Sequence, residues 1–209
     1  MTYDELKGFC SRDPSRKAML EPWSMTFDHV HYAVATCGRI LVADRNTYAP
    51  VQNSIYDVTP FLVALPDVAL WRSWPCVRTD EAVELDCKCL DCREGKALDY
   101  CDKCGADGCD ACDWDGMVAT DRLCEACRGT GRETAVRTPE GFVRRVFVER
   151  IGRLPGPVEM GVLGDGVRLR APFNGRALFF RYATGFGCVM PLNKVQPLPM
   201  HAARVGGIQ

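Results

Sequence analysis

A chain of 209 residues, 47% apolar and 25% charged, is long enough for one large domain or for one domain that carries a small module. Its net charge of -1 gives no support to a strongly basic nucleic-acid binder or to an acidic tail. No run approaches the ~18 apolar residues of a membrane helix, and the beginning, MTYDELKGFC, lacks the apolar core of a secretory signal. We therefore expect a cytoplasmic protein without a membrane partner, in which cysteines bind metal rather than form disulfides. The four scattered ones, Cys10, Cys37, Cys76 and Cys188, are expected to be small buried apolar residues.

The part of the chain before the cysteine cluster predicts short elements. Residues 2–10 begin with a capping box, Thr-Tyr-Asp-Glu, which predicts a short helix. Two β-rich runs around a turn predict a hairpin within residues 30–44. A Thr-Pro dipeptide begins a second short helix at residues 61–65, and alternating residues 82–86 predict a strand that leads into the cysteines.

Beyond the cysteines, residues 133–138 predict a strand. Residues 139–154 predict the clearest helix, because apolar side chains recur there at helical spacing. Four strand-like runs follow, at residues 158–163, 167–173, 177–183 and 187–192. Glycines, including Gly185 and Gly187, predict turns between these strands.

This order of elements predicts an α+β fold. Its body, residues 1–86 and 132–209, consists of two similar halves of the β-α-β-β-β type. Residues 87–131 are inserted on a hairpin of this body, and we call them the finger.

Nine of the thirteen cysteines lie in the finger, and eight of them form Cys-x-x-Cys pairs: Cys89/Cys92, Cys101/Cys104, Cys109/Cys112 and Cys124/Cys127. The two-residue spacer lets both sulfurs of a pair reach one ion at about 2.3 Å, and eight thiolates complete two tetrahedral sites. The finger has few large apolar residues, so we expect two zinc ions to supply its folding energy.

The fourth pair begins the run CEACRGTG, while the second and third pairs keep its final glycine as Gly108 and Gly116. In the first pair, Gly95 is displaced by one place. These repeats resemble the cysteine-rich domain of DnaJ-type chaperones. The resemblance covers about a fifth of the chain. It does not extend to the J-domain, which needs a His-Pro-Asp tripeptide, because no histidine here is followed by proline.

The DnaJ resemblance implies how the cysteines share their metals. The outer pairs would hold one zinc with Cys89, Cys92, Cys124 and Cys127, and the inner pairs would hold the other with Cys101, Cys104, Cys109 and Cys112.

Three alternatives stay open at this point. Cys87 is a ninth thiol and can replace Cys89 in the outer site. A redox dithiol also uses a Cys-x-x-Cys pair, but the expected β-α-β context is missing here. An iron–sulfur cluster accepts four cysteines too, although short paired turns with glycines favour zinc.

The charge of the finger bears on its partner. Six Lys or Arg residues face ten Asp or Glu residues, a balance of -4, and four more negative charges remain when eight thiolates bind two Zn²⁺. Such a surface repels phosphates. Trp114 and the glycine turns favour contact with a protein or peptide, although Trp114 can also pack against the metal loops.

Two passages of the body, YAVATCGRILVAD at 32–44 and ALFFRYATGFGCVMPLNK at 177–194, resemble one domain of the bacterial sliding clamp, the β subunit of DNA polymerase III. Chains that combine this body with a cysteine module resemble phage or bacterial proteins. The resemblance implies a clamp-like fold and a DNA-associated process.

The stretch from residue 132 to 209 has a balance of +7, and Arg144, Arg145 and Arg153 of the predicted helix are candidates for nucleic-acid contact. No nucleophile, paired catalytic carboxylates or nucleotide loop stands out, so we expect no enzyme. The main hypothesis is a non-enzymatic zinc-binding interaction protein. The alternative is a DNA-associated, clamp-like accessory factor of replication or repair.

Overall fold

The computed structural model describes residues 1–12, 16, 19–50, 71–74, 81–105, 107–163 and 177–192. This part of the chain is mostly β, with few helices, and divides into two compact units: residues 1–77 with 149–191, and residues 78–148 with 192–209. The helix expected at 61–65 and the strand expected at 167–173 lie outside the described residues. The described elements are α1 Tyr3–Lys7, β1 Trp23–Phe27, β2 Val30–Thr36, β3 Ile40–Asp44, β4 Trp71–Trp74, β5 Val83–Lys88, β6 Cys92–Arg93, β7 Lys96–Tyr100, β8 Met117–Leu123, β9 Arg132–Thr138, β10 Gly141–Arg144, α2 Arg145–Ile151, β11 Glu159–Leu163, β12 Leu178–Tyr182 and β13 Gly185–Val189.

The first unit contains an antiparallel sheet of seven strands in the order β1-β2-β3-β13-β12-β11-β4. The hairpin predicted within residues 30–44 is confirmed as β2 and β3. The sheet places β3 directly beside β13, so strands from both ends of the chain share it. The capping box is also confirmed, because the Thr2 hydroxyl accepts a hydrogen bond from the Glu5 N–H while the Glu5 carboxylate accepts one from the Thr2 N–H.

The centre of this sheet is apolar. All five residues of β3 are buried, as expected for a central strand that is covered on both faces. One face forms a core cluster of Trp23, Val34, Leu41, Ala43, Ala177, Phe179 and Cys188.

The prediction that Gly185 and Gly187 form a turn is wrong. The turn between β12 and β13 is Ala183-Thr184, and both glycines pair with β3. A Cβ atom at Gly185 would lie 2.0 Å from the Ala43 carbonyl oxygen, and one at Gly187 would lie 2.2 Å from the Leu41 oxygen. These glycines therefore permit close approach of two strands.

The second unit contains two antiparallel sheets of three strands, β10-β9-β5 and β6-β7-β8. The strands predicted at 82–86 and 133–138 are present as β5 and β9, and they pair with each other. Lys88 pairs with Arg132 at the end of this ladder. The finger is therefore inserted between two strands, β5 and β9, that pair with each other.

The single helix predicted at residues 139–154 is wrong for its first part. Residues 141–144 form β10, and only Arg145–Ile151 are helical. Gly141 has φ 127, and the Thr138 hydroxyl donates to the Gly141 carbonyl oxygen at 2.8 Å, which closes a turn from β9 to β10. The apolar stripe was nevertheless a valid core prediction, because Val143, Val146, Phe147, Ile151 and Leu154 are all buried.

Among the described residues, no helix has the length and apolar character that crossing a membrane requires.

Candidate metal centre

The structure gathers eight cysteines of the finger into two groups whose sulfur atoms lie within 4.8 Å of one another. We call Cys89, Cys92, Cys124 and Cys127 the outer centre, and Cys101, Cys104, Cys109 and Cys112 the inner centre. This grouping agrees with the one that the DnaJ resemblance implied. Cys87 belongs to neither group, so Cys89 completes the outer centre.

The sulfur separations fit zinc. A tetrahedral ion with Zn–S bonds of about 2.3 Å requires neighbouring sulfurs about 3.8 Å apart. Sγ–Sγ distances are 3.9 Å for Cys89–Cys124, 3.7 Å for Cys92–Cys127, 3.8 Å for Cys101–Cys109 and 3.8 Å for Cys104–Cys112. Each centre can therefore hold one zinc ion through four thiolates, which would cross-link chain segments that have little core of their own.

Backbone N–H groups point at the sulfurs, as thiolate ligands require. Gly108 donates to Cys104 Sγ, and Gly131 donates to Cys127 Sγ, each at 3.3 Å. Burial pushes the pKa of Cys112 upwards, but hydrogen bonds from the backbone at Cys109 and Gly116 outweigh it and lower this pKa to about 7. The backbone around Cys112 thus favours the ionised form of this one thiol, which is the form that binds metal.

The glycines of the fourth repeat have a conformational role. Gly129 and Gly131 have φ 85 and 73, in the left-handed region that glycine adopts without strain. Gly95 has φ 83, and a Cβ atom there would lie 2.1 Å from the Gly129 carbonyl oxygen. The outer centre therefore requires glycine on both of its loops.

Two repeats place other residues where the fourth has Gly129. Glu94 follows the first pair with φ 51, and Trp114 follows the third with φ 62. Each is the second residue after its pair, as Gly129 is. Each L-residue adopts the left-handed conformation at a cost of about 1–2 kcal/mol, and in the first repeat the glycine follows one place later as Gly95.

Trp114 does not pack against the metal loops. It is 71% exposed, and its indole Nε1–H donates to Asp110 Oδ1 at 3.0 Å. Asp113 and Asp115 flank it, and both form ion pairs with Arg93. The ring therefore stands in solvent beside three carboxylates.

Arg144 and Arg145 are 3% exposed each, so the nucleic-acid contact expected of them is not supported by their placement. Arg144 lies between the carboxylates of Asp91 and Glu133, and Arg145 donates to backbone carbonyls of the finger. Burial alone would lower the pKa of Arg144, but the two carboxylates raise it above its ordinary value. Arg153 is exposed, as expected.

Asp91 and Glu133 were not among the site residues predicted from the sequence. Glu133 is 1% exposed and lies on the same face of β9 as the buried Ala135, two residues along the strand. An acid at a core-facing strand position was therefore the available signal. Asp91 offered a weaker signal, its place inside a Cys-x-x-Cys pair.

No protein-family model, curated protein or solved structure matches this chain. The resemblances to DnaJ-type chaperones and to the sliding clamp therefore rest on the quoted motifs alone.

Proposed function

We propose that this chain is a non-enzymatic zinc-binding interaction protein, whose finger contacts a protein or peptide partner through residues 109–116. We call these residues the tip. One observation carries the proposal: Trp114 is 71% exposed at a left-handed position that glycine would occupy at lower cost. A turn needs no indole there, whereas binding sites commonly rely on an exposed tryptophan as an anchor.

The charge around Trp114 favours a cationic segment of the partner. Asp110, Asp113 and Asp115 carry three negative charges, of which Arg93 offsets one by pairing with Asp113 and Asp115, and four thiolates around one Zn²⁺ add -2. A lysine or arginine side chain of the partner can stack on the indole face while it pairs with these carboxylates. The hydrogen bond to Asp110 fixes the ring, which lowers the ordering cost of binding.

The alternative is a DNA-associated accessory factor. It is weakened because two of its three candidate arginines, Arg144 and Arg145, are buried. In its favour, the two clamp-like passages contribute neighbouring strands, β3 and β13, to one sheet. Of the three proposed contacts, Arg153 is the exposed one. A single exposed arginine is weak support for binding duplex DNA.

The proposal is tested by binding zinc-loaded full-length protein to an array of short random peptides. We expect the retained peptides to be rich in Lys and Arg, and Trp114→Gly to weaken their binding about 30-fold, the effect of losing an anchor worth about 2 kcal/mol. Glycine suits φ 62, so this variant should still bind two zinc ions.

The matched control is Leu90→Gln, which changes another exposed apolar residue of the finger outside the tip. It should bind the same peptides as the wild type. Equal peptide binding by wild type and Trp114→Gly would refute the role of the tip, and competition by duplex DNA would favour the alternative function.

A further inference from the structure

Two consecutive buried arginines reach the finger from the junction between β10 and α2. Arg144 forms a two-pronged ion pair with Asp91, with Nη1–Oδ1 at 3.2 Å and Nη2–Oδ2 at 2.8 Å. Its Nε lies 3.0 Å from Glu133 Oε1. Arg145 donates through Nη2 to the carbonyl oxygens of Glu125, at 2.8 Å, and Ala126, at 3.0 Å.

These contacts reach both ligand loops of the outer centre. Asp91 lies inside the first Cys-x-x-Cys pair, and Glu125 with Ala126 lies inside the fourth. One arginine therefore holds each ligand loop. Because the two arginines are adjacent at the end of β10, they hold both loops against the same element.

The inner centre differs from the outer one in the exposure of its ligands. Backbone support is alike in both, since the Cys101 N–H donates to the Gly116 carbonyl oxygen and the Cys89 N–H donates to that of Gly131. Two ligands of the inner centre, Cys104 and Cys109, are partly exposed, whereas the outer centre has one such ligand, Cys92. Solvent and chelators therefore reach the inner centre more readily.

We propose that Arg144 and Arg145 are positioning residues of the outer metal centre, which make its zinc the more tightly bound and couple its occupancy to the β10-β9-β5 sheet. Four thiolates repel one another, and an ordered frame reduces the cost of gathering them before the ion arrives.

The effect should appear as unequal metal affinity. Loss of a side chain that supports a metal ligand typically costs about 10–100-fold in affinity. We therefore expect Arg145→Met, which keeps bulk but removes both hydrogen bonds, to weaken the outer centre by that factor. Arg122→Met is the matched control, because Arg122 pairs with Asp99 on the exposed surface of the same finger.

The test is a competitive chelator titration of the full-length protein loaded with two zinc ions. The wild type should release its zinc in two steps, and Cys104→Ser/Cys109→Ser should retain only the tighter one, which assigns that step to the outer centre. Arg145→Met should weaken the tighter step about 10–100-fold and leave the other unchanged, while Arg122→Met should change neither.

The inference is overturned if the double serine variant retains the weaker step, if Arg145→Met leaves the tighter step unchanged, or if both steps weaken equally. Should Arg145→Met fail to fold, Asp91→Asn takes its place, because that carboxylate is 40% exposed and its replacement is milder. The same selective loss is then required, and an unchanged tighter step in Asp91→Asn overturns the inference.

Discussion

At the scale of single residues, the finger shows how a repeat is modified while its turn is kept. The fourth repeat has Gly129 in the left-handed region, and the first has Glu94 at that position with Gly95, also at positive φ, one place later. The side chain of Glu94 is exposed, so its packing does not stabilise this backbone conformation. The surrounding metal-binding loops do.

Glu94→Gly should therefore raise the free energy of unfolding of the finger by about 0.5–1 kcal/mol, because relief of a left-handed L-residue exceeds the entropy that glycine gains in the unfolded chain. Glu125→Gly is the matched control: Glu125 is also exposed and lies between ligands, but it is not among the described residues with positive φ. It should lose about as much stability as Glu94→Gly gains. Urea unfolding of the zinc-loaded protein measures both, and equal destabilisation would contradict the expectation.

Asp44 is the clearest buried polar residue of the first unit. It is fully buried at the end of β3, and it accepts hydrogen bonds from the hydroxyls of Tyr182 and Thr184, at 3.0 and 2.5 Å, and from the Asn46 N–H at 2.9 Å. One carboxylate thus ties three positions around the ends of β3, β12 and β13.

Asp44→Ala should cost about 2–4 kcal/mol, because it leaves buried donors without their acceptor. Asn46→Ala keeps the backbone N–H and changes an exposed side chain, so it should stay within about 0.5 kcal/mol of the wild type. Thermal unfolding distinguishes them. Similar melting temperatures for the two variants would show that Asp44 is not a structural acceptor.

At the scale of elements, Tyr182 makes the association of β12, β13 and β3 within the first unit's sheet sensitive to alkali, because its hydroxyl donates to Asp44 of β3. Burial, followed by the neighbouring Asp44, raises the pKa of Tyr182 above its ordinary value of 10.0. The native state then holds the phenol proton more tightly than the unfolded state. This contribution to stability is complete below pH 10 and is lost as the pH rises above it.

Tyr182→Phe should therefore lower stability at neutral pH by loss of a hydrogen bond, yet show a shallower decline between about pH 9 and about pH 11 than the wild type. Melting temperature against pH gives both slopes. Parallel slopes would mean that Tyr182 does not titrate with unfolding.

The strand β10 lies where the apolar period predicted a helix. Residues 141–154 have a helical apolar period, but Gly141 and the Thr138 hydroxyl close a hairpin first. Periodicity identified the residues that face the core and not the conformation that presents them. A strand followed directly by a helix can bury the same stripe.

Excision of the finger tests how these elements depend on it. Lys88 and Arg132 are paired, so an Asn-Gly turn that replaces residues 89–131 can close the hairpin. Arg144 would lose Asp91 but keep Glu133, and Arg145 would lose two carbonyl acceptors. We expect the excision to cost about 3–5 kcal/mol, and the added change Arg145→Leu to recover part of it. Circular dichroism in urea measures this, and no recovery would argue against the role of Arg145.

At the scale of the whole molecule, the two units depend on different interactions. The first has an apolar core around a seven-stranded sheet. The second has two small sheets and two metal centres. Its stability should therefore follow metal occupancy, whereas that of the first should not.

Removal of zinc by a chelator at neutral pH should raise hydrogen exchange throughout β5 to β10 and leave β1 to β3 and β11 to β13 protected. Exchange measured by mass spectrometry on peptides from each strand shows this directly. A uniform rise across both units would contradict it, and readdition of zinc should restore protection.

The sequence by itself determined what depends on neighbouring residues. The capping box at Thr2, the β2–β3 hairpin, the Cys-x-x-Cys pairs and the strands on both sides of the finger could all be predicted, since each is encoded within a few residues. The tertiary structure alone decided which groups become buried and what they meet. Gly185 proved to be a site of close strand approach. Arg144 proved to be a buried cation that pairs with Asp91, a residue 53 positions away in the chain. Charge and spacing along the chain carry no record of such a distant partner, and burial of an arginine is stable only where that partner is present.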